Sequence, residues 1–399
     1  MSHMEERHED IYQMEAARWS AGRNALAFAA LVAVIACAAG YIQDPARFFH
    51  SYIVAFGFVA ATGLGASFFV MVQFLSGSAA SVTVRRIMEN IMYTLPFGAL
   101  LFIPVALGLK DIYSWTTFDA THDAAMRWKA PYLSENFFVI RAAVYFLMWS
   151  IWIFSIYRQS TRQDTEKSVR QMYIASRWSA PGLFLVVVVG TLASFDWFMS
   201  IEPKWYSTIF GLYILSGGAL TFMSIVTLVA LGFRRAGVLK NSITIEHYHD
   251  LGKWMFALTA FYTYIAFSQY LLIWYANIPE ETVWYRHRIA GGWFWIAISM
   301  PFIRFVIPFF TLLCRPAKRN LKVLGFVAVW SIVVEYIDLY WVAMPAYYPA
   351  GPRVSWLDFA TLAATASLAG LVFWSRFKKH KMVPVGDLRF EQGLYFENA

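Results

Sequence analysis

The chain has 399 residues, of which 59% are hydrophobic, 19% aromatic and only 15% charged, whereas ordinary soluble domains carry about 25% charged residues. That balance excludes a soluble globular protein, and the formal net charge of +8 belongs to basic loops on one side of a membrane rather than to a nucleic-acid surface. The two cysteines, Cys37 and Cys314, form no CxxC or CxxCH motif, so the chain alone cannot hold an iron–sulfur cluster or a c-type haem.

In chain order, residues 1–23 mix both charge signs and read as a cytoplasmic surface segment with no cleavable signal peptide. Ten apolar runs follow, over 24–41, 52–75, 88–109, 137–157, 181–199, 208–233, 252–276, 291–313, 321–343 and 355–375. Each has the length of a membrane-spanning helix, which takes roughly 20 residues. Most of the 33 Lys and Arg fall in the tails and the loops on the same side as the tails. The positive-inside rule therefore places both termini in the cytoplasm. Pro96 and Pro104 in the third span, and Pro301 and Pro308 in the eighth, are expected to kink their helices. Small residues, Ala61 and Gly65 in span two and Ser216-Gly217-Gly218 in span six, mark points of close helix approach.

The ninth span is the most informative. LKVLGFVAVWSIVVEYIDLYWVAMP carries Glu335 and Asp338 three positions apart, on one face of a helix. A carboxylate near the bilayer centre costs about 2.5–3.5 kcal/mol, so both must point at protein or water rather than lipid. FDWFMSIEPKWY in span five looks like an earlier copy: Asp196 precedes Pro203 by the interval that separates Asp338 from Pro345, and tyrosines follow both prolines. Both spans run outward, so the repeat is parallel. The predicted fold is an all-α polytopic membrane protein. A 24–51 segment with the first span is followed by four-helix bundles at 52–207 and 208–354, a tenth span at 355–375 and a cytoplasmic tail at 376–399.

Arg141 and Arg304 complete a set of five ionisable groups within spans. Such charges mark pathways, though Arg141–Asp196 and Arg304–Glu335 also read as plain ion pairs tying helices together. Span seven adds Thr259, Tyr262, Thr263 and Gln269 at near-helical spacing, a polar stripe. At its cytoplasmic start stands EHYHD (246–250) followed by Lys253. That group suits proton collection, or equally a solvated helix start with Asp250 as cap. The eight histidines (His3, His8, His50, His122, His247, His249, His287 and His380) lie in loops, tails or helix ends. This argues against a bis-His haem and against an intramembrane copper or zinc site. The outer loops are aromatic, and the longest, 110–136, is polar enough to dock a partner subunit.

FDWFMSIEPKWYSTIFG (195–211), EHYHDLGKWMFALTAFYTYIAFSQYLLIWYANIPEE (246–281) and VEYIDLYWVAMP (334–345) resemble NrfD/polysulfide-reductase-type membrane subunits. The similarity is greatest to the smaller of the two such subunits of bacterial alternative complex III, and it covers essentially the whole chain. It implies ten helices in two four-helix bundles within a quinol:cytochrome c oxidoreductase of the bacterial inner membrane. The implied partners are a multihaem cytochrome c, a periplasmic iron–sulfur protein, a larger NrfD-like subunit, a monohaem cytochrome c, small membrane anchors, membrane lipids and a terminal oxidase. Haem c and iron–sulfur clusters would lie in those partners, with no cofactor held by this chain beyond menaquinone and structural lipids. The resemblance further implies a proton path, for which Asp196, His249, Asp250, Glu335 and Asp338 match motif positions. It does not supply a quinone ligand, because the outer-half His that would pair with an acid is not evident in spans two to five. Two other readings stand beside it: a chain that itself binds and oxidises menaquinol, and a stand-alone secondary transporter, whose usual marks are inverted repeats and broken helices.

Overall fold

The computed structural model describes residues 12–117 and 124–398, which form an all-α protein with ten helices long and apolar enough to span a membrane. In chain order these are α1 (Ala16–Gln43), α2 (Pro45–Ser76), α3 (Val82–Leu107), α4 (Glu135–Glu166), α5 (Val169–Ile201), α6 (Phe210–Arg235), α7 (Ile245–Ala276), α8 (Trp293–Leu313), α9 (Leu321–Ala346) and α10 (Trp356–Lys379). An even number of spans brings both ends of the chain to one end of the bundle, here the terminal end; the opposite one is the far end. His3, His8 and His122 lie outside the described residues, as does residues 1–11 of the N-terminal segment.

The helices overrun their apolar stretches. α1 begins at Ala16, inside the segment expected to lie on the surface, and α2 begins at Pro45, with Asp44 accepting a hydrogen bond from the Arg47 amide. Once a hydrogen-bonded ladder is running, each added residue gains one bond, so charged flanks extend the helix where hydrophobicity alone would stop it. The prolines act as expected in α3, which is interrupted by a 3-10 turn at Leu95–Phe97, resumes at Gly98 and breaks again before Ile103. In α8 the outcome differs from a simple kink. Pro301–Val306 is a π-helical turn, and the Trp330 indole donates to the Ile303 carbonyl within it, at 2.7 Å.

α2 and α6 form the buried centre, with 89% and 83% of their apolar windows covered, against 22% for α1 and for α8. α2 packs on α3, α5, α6 and α10, whereas α6 packs on α5, α7 and α9. The small residues meet face to face. A Cβ on Gly218 would stand 2.2 Å from the Ala61 carbonyl oxygen, and one on Gly65 2.6 Å from Ala219 Cα. In lipid, where apolar side chains gain nothing by leaving the solvent, such backbone approach is a principal source of helix association. α1 runs along α10 at the edge, joined by a reciprocal pair: the Trp19 indole donates to the Trp374 carbonyl (3.3 Å) and the Trp374 indole to the Trp19 carbonyl (2.9 Å).

Beyond α10 the chain turns under the bundle and seats Met382 and Val383 in the core. His380 lies edge-on to Tyr157, and burial together with Arg86, Arg376 and Lys379 pushes its pKa down to about 4.

Gly218→Ala is expected to lower the thermal midpoint of the purified protein by several degrees. Gly232→Ala, where no atom lies within 4 Å of the added Cβ, is expected to be neutral or mildly stabilising, since Ala is the better helix former by about 1 kcal/mol. For His380 the unfolded chain takes up a proton below about 6.5 that the folded chain refuses until about 4. Stability should therefore fall as pH drops through that window, and His380→Gln should flatten this part of the denaturation profile.

Candidate functional site

The five ionisable groups marked within spans from the sequence resolve into two separate clusters in the far half, one on α4 and α5 and one on α6 to α9. In the first, Asp196 is buried and its two oxygens receive four donors. Arg141 gives Nε to Oδ2 (2.8 Å) and Nη2 to Oδ1 (2.9 Å), while the Tyr132 and Tyr145 hydroxyls each donate at 2.9 Å. Arg141 is held in turn by the Tyr132 carbonyl (2.7 Å) and lies 3.8 Å above the Tyr132 ring. Burial beside the Asp196 carboxylate pushes the Tyr132 phenol up to about 12, so it remains a donor. A carboxylate accepts about four hydrogen bonds, and all four positions are filled. This cluster is a closed lock between α4 and α5.

The second cluster uses the same residue types less tightly. Asp338 accepts from Tyr213 on α6 and from Tyr262 on α7, both at 2.7 Å. Arg304 pairs with Glu335 through Nη2, lies 3.9 Å from Asp338, and stacks 3.8 Å over the Tyr262 ring. The π turn in α8 places Arg304 here, at 4% exposure, and leaves its Nε and Nη1 without hydrogen-bond partners. Glu335 fits only because position 217 is glycine: a Cβ there would stand 2.6 Å from Oε1. Two carboxyls thus face one guanidinium.

A cavity of about 440 Å³ opens beside this cluster, between α7, α8 and the short helix Pro279–Ile289. Asp338, Arg304, Tyr213 and Tyr262 form its polar floor, and aromatic side chains form its walls. Phe267, Tyr270 and Ile298 on those walls are also exposed on the outer surface of the bundle, so the cavity opens sideways. Helix Pro279–Ile289 is pinned over it from the first half. Glu202 accepts from Arg288 (2.7 Å) and contacts His287 (2.7 Å), and Trp205 stacks on Trp284.

The polar stripe of α7 is divided among different partners. Thr259 and Thr263 donate to their own helix, to the carbonyls of Met255 and Thr259. Tyr262 joins Asp338, and Gln269 accepts from Ser207 (3.1 Å) and lies 3.4 Å from Tyr285. His249 and Asp250 stand apart at the terminal end. His249 is buried with Nδ1 unpartnered, and Asp250 pairs with Lys253 at 3.0 Å. Thr244 and His247 cap α7, so the cap expected at Asp250 falls six residues earlier. Among the described residues no side-chain hydrogen bond joins His249 to Tyr262.

Further buried ionic residues lie outside these two clusters. Arg47 and Ser51 bind Asp358, tying α2 to α10 at 2.5 and 2.7 Å. At the terminal end Arg85, Arg86 and Glu89 on α3 are fully buried with Asp164 and Asp387. Each left a signal. Ser355 and Asp358 have capping-box spacing, and Arg85, Arg86 and Glu89 are spaced for ion pairs on one helix.

No protein-family model matches the chain, and no curated protein aligns with it significantly. Fold and site together define an integral multi-pass membrane protein with two intramembrane Arg–carboxylate–tyrosine clusters, one closed and one beside a cavity.

Removing one partner of a buried ion pair typically costs 3–5 kcal/mol, roughly, because it strands the other charge. Asp196→Asn should therefore destabilise the protein strongly in a thermal unfolding assay. The pair Asp196→Asn with Arg141→Met should recover most of the loss.

Proposed function

We propose that this chain is a haem-free integral subunit of a quinol:cytochrome c oxidoreductase of the alternative complex III type. It lies in a bacterial cytoplasmic membrane with its terminal end in the cytoplasm, and it carries protons between its helices while quinol is oxidised in a neighbouring subunit. Haem c and iron–sulfur clusters belong to the partner subunits. The observation that carries this reading is the Arg304–Glu335–Asp338 cluster. One guanidinium compensates one of two buried carboxyls, and an uncompensated charge in such a medium costs several kcal/mol. A proton on the second carboxyl removes that cost, so the cluster is a resting place for one proton. Tyr213 and Tyr262 are hydroxyls through which the proton passes to or from Asp338, and the adjoining cavity is where it meets water or a ligand. The matching residue types around Asp196 support a common origin of the two halves, with the first cluster kept as a structural lock.

A second reading, in which this chain itself binds quinol, is favoured by the cavity. It opens sideways as a membrane-soluble ligand requires, its walls are aromatic, and Arg304 offers two unpartnered donors at its floor.

In reconstituted complex, Asp338→Asn and Glu335→Gln are expected to lower the proton-to-electron ratio while quinol oxidation continues. An unchanged ratio in both variants sinks the proton-path reading. For the second reading, a photoreactive menaquinone analogue should label Tyr270 or Phe267, with protection by unlabelled menaquinone. Absence of protected labelling removes it.

A further inference from the structure

A buried charge chamber lies at the terminal end of the first half, well away from the cavity. Glu89 is at its centre, fully buried, taking Arg85 at 3.1 Å, Arg86 at 3.0 Å and the Ser160 hydroxyl at 2.7 Å. Arg86 reaches on to Asp164 at 2.7 Å. Even so, polar atoms within the cluster lack protein partners: Arg85 Nη1, Arg86 Nε, Asn90 Nδ2, Gln163 Nε2 and Asp164 Oδ1. Buried polar atoms are almost always satisfied by protein or by water. A site this polar, with several donors and acceptors converging, is where internal water is held.

What closes the chamber is the segment after α10. Asp387 enters it and pairs with Arg85 at 2.7 Å, while Arg389 grips the same carboxylate from the outside at 3.1 Å. Burial alone would raise the Asp387 carboxyl, but Arg85 and Arg389 hold it well below the usual carboxylate range. The backbone lies so close here that a Cβ on Gly386 would stand 1.9 Å from the Gln163 carbonyl. The same segment then crosses to the second half. The Gly393 carbonyl meets His247 at 3.0 Å, and Asn398 donates to the Glu246 backbone at 2.8 Å and contacts Lys253. One stretch of chain therefore lies over two polar sites, the fully buried chamber around Glu89 and the start of α7, where Glu246 is 16% exposed and also pairs with Arg319.

We propose that residues 380–398 are a strap held across both sites, with Asp387 as its latch, so that bulk water reaches Glu89, and the partly exposed Glu246 at the start of α7 becomes fully accessible, only when the strap lifts. The strap governs solvent access at the terminal end only. That role stands whether or not the far-half cluster carries protons.

The test is carbodiimide-driven labelling of carboxylates with glycine ethyl ester, read by mass spectrometry on the full protein in its native assembly in lipid nanodiscs. Glu166, whose side chain is 40% exposed, serves as the internal rate standard. In the unaltered protein Glu89 should stay unlabelled while Glu166 reacts. Asp387→Asn should raise labelling of Glu89 and of Glu246 together by several-fold, and Asn398→Ala should raise Glu246 alone. Arg389→Gln, which loosens the latch from its outer side, should raise both to a smaller degree and carries the test if Asp387→Asn does not assemble. The proposal is overturned if Glu89 reacts as fast as Glu166 in the unaltered protein. It is equally overturned if the latch variants leave Glu89 unlabelled, or if they expose Glu89 without exposing Glu246.

Discussion

Every feature of this molecule answers to one constraint: a charge inside a low-dielectric bundle must meet its opposite there or be stranded at a cost of several kcal/mol. The chain meets it by placing buried ion pairs between helices. Arg141 and Asp196 join α4 to α5, Arg304 and Glu335 join α8 to α9, and Arg47 and Asp358 join α2 to α10. The charges are therefore architectural as well as chemical. What separates the two acid clusters is stoichiometry. Asp196 has its own guanidinium and a full set of donors, whereas Glu335 and Asp338 share one.

The ten spans were legible in the sequence because hydrophobic length is the dominant signal in a bilayer. Their ends were not, since α1, α4 and α7 continue into charged flanks whose backbone bonds cost little once the helix exists. The pairing of Arg304 with Glu335 and of Arg141 with Asp196 could be anticipated, because few partners exist at those depths. The tyrosines around Asp338 could be anticipated only in part. Tyr262 belongs to the polar stripe of α7, but Tyr213 sits in an otherwise apolar run and gives no sign of its partner. The stripe itself was misleading as a unit, because period shows which residues share a face and not which of them satisfy one another. Thr259 and Thr263 turn back to their own helix.

The π turn in α8 shows how a local irregularity reaches the site. Pro301 lacks an amide donor, and the widened turn that follows sends Arg304 inward between α7 and α9. Such turns recur where a side chain must be aimed out of the regular helical register. From the sequence, two prolines flanking an arginine announce a disturbance without stating its form. The chamber around Glu89 was hidden for a different reason. Arg85 and Arg86 read as ordinary basic residues of a loop, and only the fold shows that the segment after α10 comes back to bury them.

The contact between α2 and α6 has a mechanical meaning. Where Gly218 lies against the Ala61 carbonyl there is no side chain to act as a bearing, so the two helices cannot slide or roll past one another without separating outright. Displacement of α2 against α6 is the motion such a joint resists most.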